Sequence, residues 1–308
     1  MKVFYLKPDS SYSLEPSVCA IGYFDGVHLG HQQLLKRVEK IAQVKNMKKA
    51  LMTFSCHPKE ILGKKDFKYL MSLQSKIAIL EKRGFDYLFI IEFNQDISQY
   101  SPTSFLECYL YKNNIEHLVC GFDFHFGKNG EGNFETLIQN EKNDYEVSVI
   151  KKQEYNHHKI SSSYLKEALS NGDVELVEKL LGRYYCVSGK VVHGLKNGRK
   201  ICFPTVNIDA NNYFLPKNGV YGVIIVIDGK RYLGMANLGY NPTFNVLTKV
   251  SLEVNIFDFD QDVYGKYVTV FFIKKIRYEK RFNSIDELIN QLNQDRKQIK
   301  NEIQLINE

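Results

Sequence analysis

The sequence predicts an α/β domain followed by a mainly β domain that ends in one long helix. Three observations carry that prediction. Strand-like and helix-like segments alternate through roughly the first 180 residues. After Gly182 the chain turns to short β-rich stretches punctuated by Gly, Asn and Asp. From Ser284 onward an apolar stripe recurs at helical spacing.

Residues 17–22, SVCAIG, read as a short buried strand and the first of the sheet. A helix follows from Leu29, with Leu34, Leu35, Val38, Ile41 and Ala42 on one stripe. KALMTF (49–54) is the next strand, and residues 75–84 form a helix closed by Gly84. Residues 86–93 are a strand, 101–112 a helix with Pro102 in its first turn, and 115–121 a further strand. Residues 145–150 complete the series. Such alternation predicts a parallel sheet with right-handed crossovers, whose ligands bind at the carboxyl ends of the strands.

The β-rich half predicts a closed antiparallel barrel, because closure leaves few edges unpaired. IDGKRY within it has the Asp-Gly pair of a tight hairpin. In the final helix Ser284 and Glu287 make a capping box, and Ile285, Leu288, Ile289, Leu292, Ile299 and Ile303 form the stripe that docks on the barrel. The boundary is placed near 183, giving domains 1–183 and 184–308.

Composition narrows the classes of function. The net charge of +6 is diffuse, with lysines scattered among glutamates and no basic arm, so small anionic ligands are favoured and no nucleic-acid partner is expected. Six cysteines lie far apart with no Cys-x-x-Cys pair and read as reduced thiols. MKVFYLKPDS lacks the apolar core of a leader and no stretch reaches membrane-spanning length, so a cytoplasmic protein with no membrane association is expected. No obligate protein partner is evident.

The informative stretch is GYFDGVHLGH, residues 22–31, where the first assigned strand meets its helix. Gly22 admits a ligand close to the backbone, and Asp25-Gly26 supplies a turn. The helix then points its positive end at whatever lies there, with His28 and His31 three residues apart. Two imidazoles beside unpaired amides make a cradle for phosphate oxygens as charge builds on them. No P-loop and no dinucleotide fingerprint competes with this reading.

The segment resembles the His-x-Gly-His motif of nucleotidylyltransferases. A second element of that superfamily, Ile-Ser-Ser-Thr/Ser-x-x-Arg, is matched by ISSSYLK, residues 160–166, with Ser161, Ser162 and Ser163 as phosphate-binding hydroxyls. Lys166 stands where the superfamily has arginine, keeping the charge and losing the bidentate fork. TFSCHP (53–58) and GFDFHFGKNGEG (121–132) resemble segments of the prokaryotic bifunctional riboflavin kinase/FAD synthetase family. LGRYYCVSGKVVHGLKNGRKICFPTVNI, GVYGV, MANLGYNPTF, SLEVNIFDFDQDVYGKYV and KKIRYEKRF follow in that family's order. Cys56, His125, Cys202 and Asn255 depart from its usual proline, arginine, glycine and histidine.

The resemblance implies a Rossmann-like adenylyltransferase domain and a riboflavin kinase barrel, with riboflavin, FMN and ATP as substrates and Mg²⁺ as cofactor. It implies that Glu253 takes the proton from the riboflavin hydroxyl; spacing alone puts that residue opposite the apolar face of Leu252, Val254 and Ile256. Thr205 and Asn207 in FPTVNI, two oxygen-bearing side chains on one face, would surround the metal and phosphates. Gly189 and Gly194, with Gly198 nearby, would form a flap over ATP; plain hairpin glycines stay open. Asp123 would orient the nucleotide, which Gly22 and Asp25 would also contact; His57 would lie near the flavin phosphate, and Arg277 would contact flavin or product phosphate; a solvated Arg277 stays open. Two other readings also stay open: a kinase with an impaired adenylyltransferase module, and a non-catalytic flavin- or nucleotide-binding regulator.

Overall fold

The computed structural model describes residues 1–61, 63, 67–140, 145–194, 203–240 and 250–303. The chain divides into two compact units, Met1–Ser162 and Ser163–Glu308.

The first unit is built on six parallel strands: β1 (Lys2–Leu6), β2 (Ser17–Ile21), β3 (Lys48–Phe54), β4 (Tyr87–Ile91), β5 (Ile115–Gly121) and β6 (Glu146–Ile150). Their order across the sheet is β1-β4-β3-β2-β5-β6, so the winding reverses between β2 and β5. β1 precedes the strand expected to be first. It is an edge strand whose outer residues are exposed, and it therefore lacks the continuous apolar run that marks β2 and β4. A short hairpin, β7 (Glu154–Tyr155) with β8 (His158–Lys159), also follows β6.

Alternation along β2 sorts its side chains. Val18 and Ala20 meet α1 (Leu29–Lys45) and Leu80 of α3 (Leu73–Lys82) on one face. Cys19 and Ile21 meet Phe105, Leu106 and Tyr109 of α4 (Pro102–Tyr109) on the other. A four-residue helix, α2 (Pro58–Ile61), follows β3, and α5 (Phe134–Gln139) precedes β6. The capping signals take the places expected of them. Gly84 adopts φ +68° just beyond α3, and Ser101 caps α4 with Pro102 as its first residue.

In the second unit α6 (Ser162–Asn171) and α7 (Val174–Leu181) lead into a closed antiparallel barrel, and α7 packs on two of its strands, β9 and β14. The strands are β9 (Tyr185–Val192), β10 (Val206–Ile208), β11 (Gly219–Ile227), β12 (Lys230–Tyr240), β13 (Val250–Ile256) and β14 (Tyr267–Arg277), ordered β10-β13-β12-β11-β14-β9. Asp228 and Gly229, both at positive φ, make the two-residue turn between β11 and β12 that IDGKRY predicts. Gly189 lies inside β9 and not in a flap. An added Cβ there would overlap the Asp209 carbonyl oxygen, so the glycine serves a close approach of two backbones.

The last helix, α8 (Ile285–Glu302), is capped by the Ser284 hydroxyl, which accepts from the Glu287 amide at 3.1 Å. The return half of the expected box comes one residue earlier, with Glu287 accepting from the Asn283 amide. The stripe docks through its C-terminal part, where Ile299 and Ile303 pack with Val220, Met235 and Phe257, while Ile285 is exposed. Between Leu292 and Ile299 the stripe carries Asp295, buried and bonded to Arg277 Nε at 2.9 Å and to Gln291 Nε2 at 2.9 Å. Among the described residues no helix is long and apolar enough to cross a membrane.

Removing the carboxylate would leave the Arg277 guanidinium without its buried counter-charge. Asp295→Ala is expected to lower the stability of the barrel unit by about 3 kcal/mol, read from the chemical denaturation midpoint.

Candidate functional site

The first unit holds a cleft of about 750 Å³ at the carboxyl ends of β2 and β5, where the winding reverses. Gly22, His28, His31, His57, Asp123, Ser161 and Ser162 all line it. Sequence motifs more than a hundred residues apart therefore converge on one cavity.

β2 leads into a strained turn. Phe24 and Val27 sit at φ +56° and +42°, and for a β-branched residue such as Val27 that conformation is a true outlier. Several buried bonds hold the turn. The Tyr23 carbonyl accepts from Lys76 Nζ at 2.7 Å and from the Thr53 hydroxyl at 2.9 Å. Asp25 Oδ1 accepts from the Leu70 amide at 2.8 Å, and its carbonyl accepts from the Ser162 hydroxyl at 3.1 Å. Asp25, expected at the nucleotide, is 4% exposed and acts beneath the turn as part of its frame.

At the end of the turn His28 is the N-cap of α1, its Nδ1 accepting from the His31 amide at 3.2 Å. That bond puts the His28 proton on Nε2. The two imidazoles stack, 3.7 Å between centroids and 14° between planes. Burial, then His28 and then Lys76, hold His31 well below the usual histidine range. His31 is thus neutral, and both rings can offer N–H donors beside the helix amides.

Around this centre His57 stacks on Phe67 at 4.2 Å and meets the Tyr23 ring edge-on at 4.5 Å. The Cys56 thiol contacts the Phe93 carbonyl at 3.5 Å. Asp123 is paired with Lys159 of the β7–β8 hairpin, whose ammonium lies 4.6 Å from the Phe122 ring centroid. His125 Nδ1 stands 3.0 Å from the Gly130 carbonyl. Ser163 and Lys166 fall in the second unit, on α6, with the Lys166 ammonium 5.8 Å from the Phe214 ring centroid.

The barrel supplies a second constellation. β10 pairs with β13 so that Asn207 lies opposite Glu253, and the Thr205 hydroxyl donates to Glu253 Oε2 at 3.1 Å. An added Cβ on Gly194 would overlap the Asn207 amide, so glycine allows that segment to lie against it. Asn255, 4% exposed, donates from Nδ2 to the Pro204 carbonyl at 2.7 Å and so holds the residue before Thr205. Arg277, expected at the flavin, is engaged by Asp295. Gly198, Cys202 and the NPTF part of MANLGYNPTF lie outside the described residues.

Thr205, Asn207 and Glu253 form a donor set of hard oxygens, the chemistry that suits Mg²⁺. Among the described residues no three His, Cys, Asp or Glu side chains cluster as a metal cage. A few protein oxygens, with phosphate and water completing the shell, are Mg²⁺'s usual habit.

Sequence reasoning missed Lys76, Lys159 and the buried role of Asn255. Lys76 had a detectable signal. It stands four residues before Leu80, and both are buried on the inner face of α3.

A helix N-terminus carrying two stacked imidazoles at a sheet switch point, and a barrel carrying a hydroxyl–carboxylate pair, define a two-module enzyme of phosphate-group transfer. The FAD synthetase family matches residues 10–164 and the riboflavin kinase family residues 181–303. The bifunctional riboflavin kinase/FMN adenylyltransferase of Bacillus subtilis (strain 168) is 42% identical over 92% of this chain and 91% of its own. That of Escherichia coli (strain K12) is 35% identical over 91% of each. A solved structure titled as a macrolide-efflux protein from Streptococcus pneumoniae superposes with a TM-score of 0.89 at 33% identity, covering 97% of this chain and 99% of that one. The chain belongs to the bifunctional riboflavin kinase/FMN adenylyltransferase family, and membership implies the use of ATP.

Burial of neutral His31 makes the first unit sensitive to acid. The unfolded chain takes up a proton near pH 6.5 that folded His31 refuses, so its contribution is full above that pH and is lost below it. The slope is about 1.4 kcal/mol per pH unit. Urea midpoints of the first unit, followed by circular dichroism, are expected to fall accordingly, and His31→Gln to flatten the fall.

Proposed function

We propose that the chain makes FAD from riboflavin in two ATP-dependent steps, with residues 184–308 phosphorylating riboflavin and residues 1–183 adenylylating the FMN so formed. The observation that carries this reading is the sorting of the machinery: the histidine pair lies in the first unit and the Thr205–Glu253 pair in the second.

In the barrel, Glu253 accepts the proton of the riboflavin 5′-hydroxyl as that oxygen attacks the γ-phosphorus of ATP and ADP departs. The Thr205 hydroxyl, bonded to Glu253 Oε2, orients the carboxylate. Thr205 and Asn207 would hold Mg²⁺, which when bound would neutralise phosphate charge. Gly194 leaves the space in which Asn207 is set.

In the first unit a phosphate oxygen of FMN attacks the α-phosphorus of ATP, forming the P–O–P bond of FAD and expelling pyrophosphate. The nucleophile is already ionised and needs no base. His28, His31 and the first amides of α1 donate to oxygens that gain charge at the α-phosphate and the leaving pyrophosphate. Ser161 and Ser162 serve the outer phosphates, and Gly22 admits them to the backbone. Asp123 orients the nucleotide and His57 the flavin phosphate. The location consistent with these soluble substrates is the cytoplasm.

Incubating the full chain with riboflavin or FMN and MgATP, and separating flavins over time, tests both steps. Riboflavin is expected to yield FMN and then FAD, and Glu253→Gln to slow FMN formation about 100-fold or more while leaving FMN adenylylation intact. FMN as the sole product would point to an impaired first module, and no turnover of either flavin to a binding protein.

A further inference from the structure

We propose that Lys76 is a positioning residue for adenylyl transfer: its buried ammonium clamps the Tyr23 carbonyl and so fixes the left-handed turn that aims His28 and His31 at the nucleotide phosphates. The inference rests on the adenylylation proposed above.

Four observations support it. Lys76 projects from α3 into the core of the first unit and is 5% exposed, a rare place for a lysine. Two of its donor directions are spent on the frame of the turn, 2.7 Å to the Tyr23 carbonyl and 3.1 Å to the Thr53 hydroxyl, and its Nζ lies 4.9 Å from the Tyr23 ring centroid. The same Thr53 hydroxyl donates to the same carbonyl, closing a small ring of bonds at the end of β3. The clamped residue immediately precedes Phe24, the first of the two strained positions. A backbone held at φ +42° on a valine persists only where its surroundings over-determine it, and Lys76 is one such restraint.

The charge also matters to the histidines. Lys76 faces Tyr23 and Asp25 of the turn and His31 of α1, with Tyr69 behind Tyr23. Asp25 supplies the opposing charge that favours the ammonium, while Lys76 helps to keep His31 neutral. Burial lowers Lys76 to about 8. Tyr23 is pushed far up, Tyr69 up to about 12, and His31 far down, so none of these neighbours titrates with Lys76.

The test uses the full chain, with both reactions assayed on one preparation. Lys76→Met keeps the length of the side chain and removes its donors and charge. Its kcat for FAD formation is expected to fall about 10- to 100-fold, as a misplaced reacting geometry does. KM for FMN and ATP should stay within about threefold, because the loss is in the transition state. Riboflavin phosphorylation serves as the internal control and should be unchanged. Hydrogen exchange at the amides of β2 and β5 reports whether the first unit of the variant is folded.

The unaltered chain gives an independent reading. Its kcat for FAD formation should fall as pH rises through about 8, where the ammonium is lost, and the kinase step should lack that limb. Lys76→Met with native exchange and FAD formation within about twofold of the parent would overturn the proposal. Should that variant not fold, a parent profile without the alkaline limb would overturn it. A parent chain that makes no FAD from FMN would instead sink the adenylylation reading itself.

Discussion

Everything in the first unit depends on a backbone that must turn sharply left between β2 and α1. A parallel sheet offers its ligand site only at strand ends, and a helix offers its amides only over its first turn. Bringing the two together within seven residues, from Gly22 to His28, requires left-handed backbone at Phe24 and Val27 as well as at Gly26. Glycine accepts that conformation at little cost; phenylalanine and valine do not. The buried bonds from Lys76, Thr53, Leu70 and Ser162 are the counterweight, and they explain why so many polar groups converge under so short a turn.

The barrel solves a different problem with different means. Phosphoryl transfer asks for placement of a carboxylate more than for chemistry from it. β10 is only three residues long, yet it fixes Asn207 opposite Glu253, and Thr205 reaches the carboxylate from just before its start. Asn255 adds a tie to Pro204 on the same side of β13, where strand alternation puts it beside Glu253. The histidine usual to the family at that place and the asparagine here are both able to donate one hydrogen bond to a carbonyl.

Much of this was legible in the sequence, and the exceptions share a cause. The alternating pattern gave the parallel sheet, IDGKRY the hairpin, and HLGH the helix start with two histidines on one face, though not the cap that His28 makes. Local signals of this kind depend on neighbours in the chain. β1 escaped notice because an edge strand with exposed outer residues carries no strong pattern. Lys76 and Asp295 escaped because each is a charge at a position where the helical period calls for an apolar residue, and the partner that compensates each is distant in sequence. Arg277 was read for ligand chemistry when its partner was such a hidden charge. Conversely, Asp25 also serves as framework, because its Oδ1 takes the Leu70 amide, a partner 45 residues away that the turn alone does not reveal.

The buried pair of Arg277 and Asp295 also bears on alignment. An amphipathic helix lying on a barrel can slide by one turn and still present leucines and isoleucines to the wall, because such contacts have little directional preference. A carboxylate with a single guanidinium to meet tolerates no such slip. The ion pair therefore works as a register pin: with Asp295 fixed, Ile299 and Ile303 must fall over Gly222, whose missing side chain leaves room for them.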